Sequence, residues 1–149
     1  AFVENYRKLT DLQEAELEEV DLQQTLETLG TLYPDVAWHI HTDGQLRFKA
    51  DRGMMLQVLS NLAKNACEAG AKDIDIRWEN ALLISNNGAP IPPDVAREIF
   101  VPFFTTKQTG SGIGLALARL MMHKQGMNLS LAEQPVPGFR TTFVISRLP

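Results

Sequence analysis

Cysteine is almost absent: Cys67 is the only one in 149 residues. That excludes a disulfide framework and a cysteine-based metal site. Cys67 itself lies on an apolar helical stretch and is expected to be a small buried hydrophobe. Basic clusters are also missing, and the net charge is -4, which argues against nucleic acid held by a charged face. No apolar run approaches the roughly 20 residues of a membrane span, so no direct membrane contact is expected. No signal peptide is visible either. The P-loop pattern G-x-x-x-x-G-K-[ST] does not occur. These absences suit a cytosolic domain. What is present suffices for one substantial core, since 44% of the residues are hydrophobic. The chain begins at Ala1 in the middle of a pattern, as a piece of a longer protein would.

Taken in order, residues 1–19 read as a helix end followed by an acidic linker. Phe2, Val3, Tyr6 and Leu9 share one helical face, and Asp11, Glu14, Glu16, Glu18 and Glu19 follow. After a short extended piece at Val20, a helix is predicted over about 22–32 from Leu22, Leu26 and Leu29, limited by Gly30 and Pro34. Residues 36–42 and 45–50 alternate, and Asp43-Gly44 between them predicts a hairpin. Asp51 is the expected N-cap of a long helix closed by Gly70. Strands at 74–78 and 81–85 turn at Glu79-Asn80, and Pro92-Pro93-Asp94 starts a short helix to about Ile99. The stretch from Gly110 opens with glycines and becomes a helix running to about Gln125, and two strands, 128–133 and 141–147, around residues 135–138 complete the chain. The implied fold is a two-layer α/β sandwich, with helices on one face of a mixed, mostly antiparallel sheet.

Three stretches carry chemistry. Asn61 and Asn65 are one helical turn apart on the same face, with Lys64 beside them. Asparagine lowers helix propensity relative to alanine, and an amide oxygen is a hard neutral ligand suited to Mg²⁺. The alternative is a solvated polar face. The Asn86-Asn87-Gly88 turn follows a strand and offers a side-chain acceptor to a base. Gly110-Ser111-Gly112-Ile113-Gly114 opens a helix, where free N–H groups and the helix dipole favour phosphate. A tight turn without a ligand is the alternative there.

Together these motifs resemble the catalytic ATP-binding domain of a bacterial sensor histidine kinase, of nitrogen-regulation type, with the Bergerat fold. The N box matches Asn61 through Ala66, the F box matches residues 100–107, and the second glycine box matches residues 110–115. Thr141-Thr142-Phe143 matches the closing strand. The resemblance covers about residues 20–149, leaving 1–19 as the end of the second dimerisation helix and its linker. It implies that Asn65 holds Mg²⁺ with Asn61 assisting, that Gly88 lets the backbone approach adenine, and that Gly110, Gly112 and Gly114 cradle the phosphates. Lys107 would reach the γ-phosphate, or be an exposed lysine with no role. Thr142 would lie beside the base, and Phe103 and Phe104 would anchor a lid or serve as core. Lys64, Asn86, Ile91, Thr106, Ser111, Ile113 and Leu115 complete the implied ATP site.

Two departures qualify that reading. The first glycine box of the family has aspartate and glycine where this chain has Asn86 and Pro90, so weaker ATP binding and reduced discrimination against GTP are expected. Arg140 stands where glycine is common. Hydrolysing relatives place a glutamate four residues before the metal asparagine; Asn61 is there, and an amide is no general base. His39, His41 and His123 lie outside the H-E/D-x-x-N/R-P pattern and are expected to be structural. The implied activity is therefore that of a protein-histidine kinase. It donates the γ-phosphoryl of ATP to a histidine in an upstream dimerisation domain, which then serves a response regulator receiver domain. The parent would be cytoplasmic or anchored in the inner membrane. A nucleotide-binding module with little transfer is one alternative. An ATPase, suggested by the local Glu68-Ala69-Gly70-Ala71 pattern, is another.

Overall fold

A computed structural model of the chain describes residues 13–41, 46–101 and 114–148. An acidic strand, β1 (Glu18–Asp21), runs directly into helix α1 (Leu22–Leu32). Asp21 makes the transition: its backbone is extended and its carboxylate accepts from the Gln23 N–H at 3.0 Å. Leu22, Leu26 and Leu29 form the buried stripe of α1, as their spacing implies.

Strands β2 (Ala37–His41) and β3 (Arg47–Ala50) follow, but the expected hairpin between them does not form. β3 pairs antiparallel with β1 in a separate two-stranded sheet. β2 runs parallel to β4 (Asp73–Trp78), with Ala37 opposite Asp73 and His41 opposite Arg77. Polar side-chain pairing accompanies the exchange of partners on both sheets. The register sets Glu19 against Lys49 and Asp21 against Arg47, and each such cross-strand pair favours its register by ~0.2–1 kcal/mol. On the other sheet His39 meets Asp73 at 2.7 Å and His41 meets Asp75 at 2.8 Å. Alternation shows which face of a strand is buried; it does not choose the neighbour. Asp43-Gly44 lies outside the described residues.

Helix α2 (Arg52–Glu68) is capped by Asp51, whose Oδ1 accepts from the Met54 N–H at 3.0 Å. It buries Met54, Met55, Val58, Leu59, Leu62, Ala63 and Ala66, and ends at Gly70 with φ +82°. Cys67 is exposed, contrary to expectation. It follows Ala66 by one position, which turns it about 100° away from the buried stripe. β4 and β5 (Leu82–Asn86) form the expected hairpin, with Asn80 left-handed at φ 62°. A short helix, α3 (Pro93–Ala96), precedes α4 (Gly114–Lys124), β6 (Met127–Leu131) and β7 (Thr141–Arg147).

The main sheet has five strands in the order β2-β4-β5-β7-β6, all antiparallel except the β2–β4 pair. One alternating face of it, with Ile74, Ile76, Leu82, Ile84, Leu129, Phe143 and Ile145, joins the apolar stripes of α1, α2 and α4 in a single core. The expected two-layer α/β sandwich with a mixed, mostly antiparallel sheet is what forms.

Candidate functional site

The polar residues on α2 are held at the edge of this core. Asn61 and Asn65 are half-buried, while Lys64 is exposed. The Nδ2 of Asn61 donates to the carbonyl of Gly114 at 3.1 Å. That bond ties the first residue of α4 to the middle of α2 and orients the Asn61 amide. Ile91 and Leu115 are partly buried and pack against the core. Thr106, Lys107, Gly110, Ser111, Gly112 and Ile113, with Phe103 and Phe104, lie outside the described residues.

At the end of β5, Asn86 is 8% exposed. Its Oδ1 accepts the Gly88 N–H at 3.0 Å, and its carbonyl accepts the Arg140 N–H at 3.0 Å. An amide oxygen has two lone pairs, so Oδ1 keeps one further acceptor position. Arg140 contributes its backbone here, and its side chain is exposed as expected. The close approach that Gly88 permits is to helix α2. A Cβ on it would stand 2.8 Å from Ala69 Cβ and 2.9 Å from the Ala69 oxygen. The Ala89 N–H donates to that same oxygen at 2.8 Å.

The two threonines of β7 divide between the faces of the sheet. Thr141 pairs with Asn86 and Thr142 with Ser85. Side chains alternate along a strand, so Thr141 shares the helical face with Asn86, Ile84 and Phe143. Thr142 points to the opposite face, where its Oγ1 lies 2.8 Å from Ser85 Oγ and accepts the Val136 N–H at 2.9 Å. The threonine beside Asn86 is therefore Thr141, which the sequence reading passed over. The apolar alternation Phe143, Ile145 carries the signal, since it extends to Thr141 and not to Thr142.

A second group was also missed. The Arg119 guanidinium lies 3.9 Å over the Phe100 ring, and Phe100 meets Phe143 edge-on at 6.4 Å and 86°. Arg119 Nε donates to the Leu129 carbonyl at 2.8 Å, and its partial burial lowers the guanidinium pKa below its ordinary value. No spacing rule links residues 100, 119 and 143; only the packing of α4 on β6, with the Phe100 ring between Arg119 and Phe143, does. Each histidine has a polar partner: Asp73 for His39, Asp75 for His41, and Asn128 for His123 at 2.8 Å.

The helical side of the sheet thus gathers an amide pair on α2, the Asn86–Thr141 pair at the strand ends and the opening turn of α4. This is the layout of an ATP-binding α/β sandwich. The chain belongs to the histidine kinase-, DNA gyrase B- and HSP90-like ATPase family, which it matches over residues 50–149.

It is 36% identical over 104 residues to the signal transduction histidine-protein kinase AtoS of Escherichia coli (strain K12), a match spanning 64% of this chain and 17% of AtoS. It is 30% identical over 125 residues to the tetrathionate sensor histidine kinase TtrS of Salmonella typhimurium (strain LT2), spanning 80% of this chain and 21% of TtrS. The catalytic domain of histidine kinase ThkA, solved free of nucleotide, superposes with a TM-score of 0.72 at 29% identity, covering 87% of this chain and 95% of that one. The chain spans about a fifth of the length of these two curated relatives. The expected fold, and ATP as the nucleotide, agree with this membership.

Proposed function

We propose that this domain binds ATP with Mg²⁺ and delivers the γ-phosphoryl group to a histidine of an upstream dimerisation domain in the same protein. From there the group passes to a response regulator receiver domain. Residues 1–19 are read as the end of the second dimerisation helix and its linker, the last two of which, Glu18 and Glu19, enter β1 instead, and the working location is cytoplasmic, with the parent protein free or anchored in the inner membrane. The observation that carries transfer over hydrolysis is Asn61. It occupies the place where a water-activating carboxylate would be needed, and its amide is engaged with Gly114. An amide neither accepts a proton from water at neutral pH nor holds one in transit.

The donor set on α2 fits Mg²⁺, which retains several waters and binds few protein groups. Asn65 would hold it, and the ion when bound would neutralise charge between the phosphates. Among the described residues no cluster of three or more His, Cys, Asp or Glu side chains competes for a metal. Asn86, with Thr141 beside it, receives the base, and the segment leading into α4 receives the phosphates. With no nucleophile or general base supplied by the domain, its contribution is positioning and charge stabilisation.

The test restores the upstream helical region and follows labelled ATP. Acid-labile, base-stable phosphoprotein supports transfer. Nucleotide binding without phosphohistidine favours the second reading, a binding module with little transfer. Asn86 motivates that alternative, since a neutral amide whose oxygen already holds the Gly88 N–H is a weaker acceptor than a carboxylate. Steady phosphate release from the chain alone would point instead to an ATPase.

A further inference from the structure

The ladder between β4 and β5 ends at Ile74 and Asn86, yet the two chains stay joined one step further. Asn87 Oδ1 accepts the N–H groups of Lys72 and Asp73, both at 2.9 Å, and its Nδ2 donates to Asp73 Oδ2 at 2.8 Å. An asparagine amide has two lone pairs and two protons, so three of its four bonds are made here. The other Asp73 oxygen meets His39 Nε2 at 2.7 Å. On the next residue, Gly88 is pressed against Ala69, and the Ala89 N–H is bonded to the Ala69 carbonyl. The Ala69 N–H in turn bonds to the carbonyl of Asn65 at 3.0 Å. Asn86 is thus held by the strand ladders, and residues 87–89 beyond it are held from β4 by the Asn87 side chain and from the end of α2 by backbone.

We propose that Asn87, paired with Asp73, is a positioning residue that sets where Asn86 stands relative to Asn65. It thereby sets the span between the base end and the metal end of the nucleotide site. The inference rests on the ATP reading above. The side chain of Asn87 does for Lys72 and Asp73 what a further pair of strand residues would do, but without adding length to β5. Were that bond set lost, the turn would still be attached to Ala69 and would pivot about it; the Asn86 backbone would stay in its ladder beside Thr141, but its side-chain Oδ1, which holds the Gly88 N–H, would be drawn out of place with the turn. Small displacements of a contact group are costly because hydrogen bonds are short and directional.

Asn87→Asp tests this. It keeps an acceptor for the two N–H groups, removes the donor, and sets a second carboxylate against Asp73. Titration of the chain with MgATP should show affinity reduced about tenfold, the scale of one misplaced hydrogen bond. Magnesium tripolyphosphate, which lacks the base, should bind within about twofold of wild type by the same reasoning. Adding Asp73→Asn to Asn87→Asp restores one donor and one acceptor in exchanged places and should recover most of the ATP affinity. Unchanged ATP affinity in Asn87→Asp, a parallel loss for tripolyphosphate, or no recovery in the double variant would each overturn the inference. Asn86→Ala separates the two levels. If it weakens ATP while Asn87→Asp does not, the positioning role alone falls. If Asn86→Ala leaves ATP binding intact, the base-end reading falls and the positioning role with it.

Discussion

Replacing Gly88 by alanine distinguishes two uses of the same glycine. If Gly88 is there for the nucleotide, the empty domain should not notice a methyl group. The structure says otherwise. The new Cβ would stand 2.8 Å from Ala69 Cβ, 2.9 Å from its oxygen and 3.1 Å from its carbonyl carbon. Two of those atoms are backbone, so no rotamer change relieves the contact. Gly88 has no positive φ, so alanine is penalised by the contact and not by its own backbone. The turn must move off α2, which stretches the 2.8 Å bond from Ala89 to Ala69. Overpacking costs about 1–3 kcal/mol, and a weakened hydrogen bond adds about 1 kcal/mol. The sum, about 2–4 kcal/mol, lowers the midpoint of thermal unfolding by roughly 4–16 °C in a domain of this size. Circular dichroism of the nucleotide-free chain measures it. A Gly88→Ala variant that melts with the wild type, but binds ATP poorly, would refute the packing account and return Gly88 to the base.

Four further outcomes are expected. Asn86→Asp should tighten ATP binding and raise the preference for ATP over GTP, each by about tenfold, since a charged acceptor is stronger and cannot donate; tight, strictly adenine-selective binding by the wild type would contradict this. Asp51→Ala removes the cap of α2 and the acceptor of the Glu16 N–H, at 3.0 and 2.9 Å. It should cost about 1 kcal/mol in urea unfolding, with Asp51→Asn costing less than half of that.

The bonds from His39 first, and from Asn87, hold the Asp73 carboxyl below its ordinary 3.8. A carboxylate lowered in the folded state adds stability above its unfolded pKa. That contribution shrinks as pH falls below about 3.8 and is gone beneath the lowered folded value. Comparing wild type with Asp73→Asn by unfolding at pH 7 and pH 3 should therefore show the two converging in acid. Cys67 is exposed, but desolvation, then Asp35 and Glu68, raise its thiol above 9.0. Alkylation at pH 8 should be slower than for a free cysteine and faster in Glu68→Gln; an ordinary rate would dismiss the electrostatic cause.

Most of the layer structure was legible in the sequence because it depends on short-range rules. Asp21 and Asp51 cap helices whose leucine and methionine stripes repeat at helical spacing, and Gly70 closes the second of them. The turn at Glu79-Asn80 follows from local chemistry in the same way. The N box, the F box, the glycine segment and the closing strand are each a short run of neighbouring residues, so a resemblance carried by four ordered motifs is legible in the sequence.

What failed to read out was the choice of partner wherever it fell outside a local hairpin. Asp43-Gly44 pointed to a β2–β3 hairpin, yet the acidic strand β1 took β3, and β2 took the aspartates of β4. Thr141 and Thr142 are adjacent and chemically identical, and only the register with β5 sets Thr141 beside Asn86. Gly88, which the resemblance sets against adenine, also lies against the end of α2, a contact that no local pattern announces. The sequence alone determined most of the elements, the leucine and methionine stripes that the helices bury, and the family; periodicity, capping and motif order are all local. Tertiary structure decided which strand lies beside which, which threonine shares a face with Asn86, and how Asn87 and Ala69 hold the base-side turn. Those depend on contacts between residues distant in the chain, where complementary charge and close packing select one neighbour among several that local pattern allows.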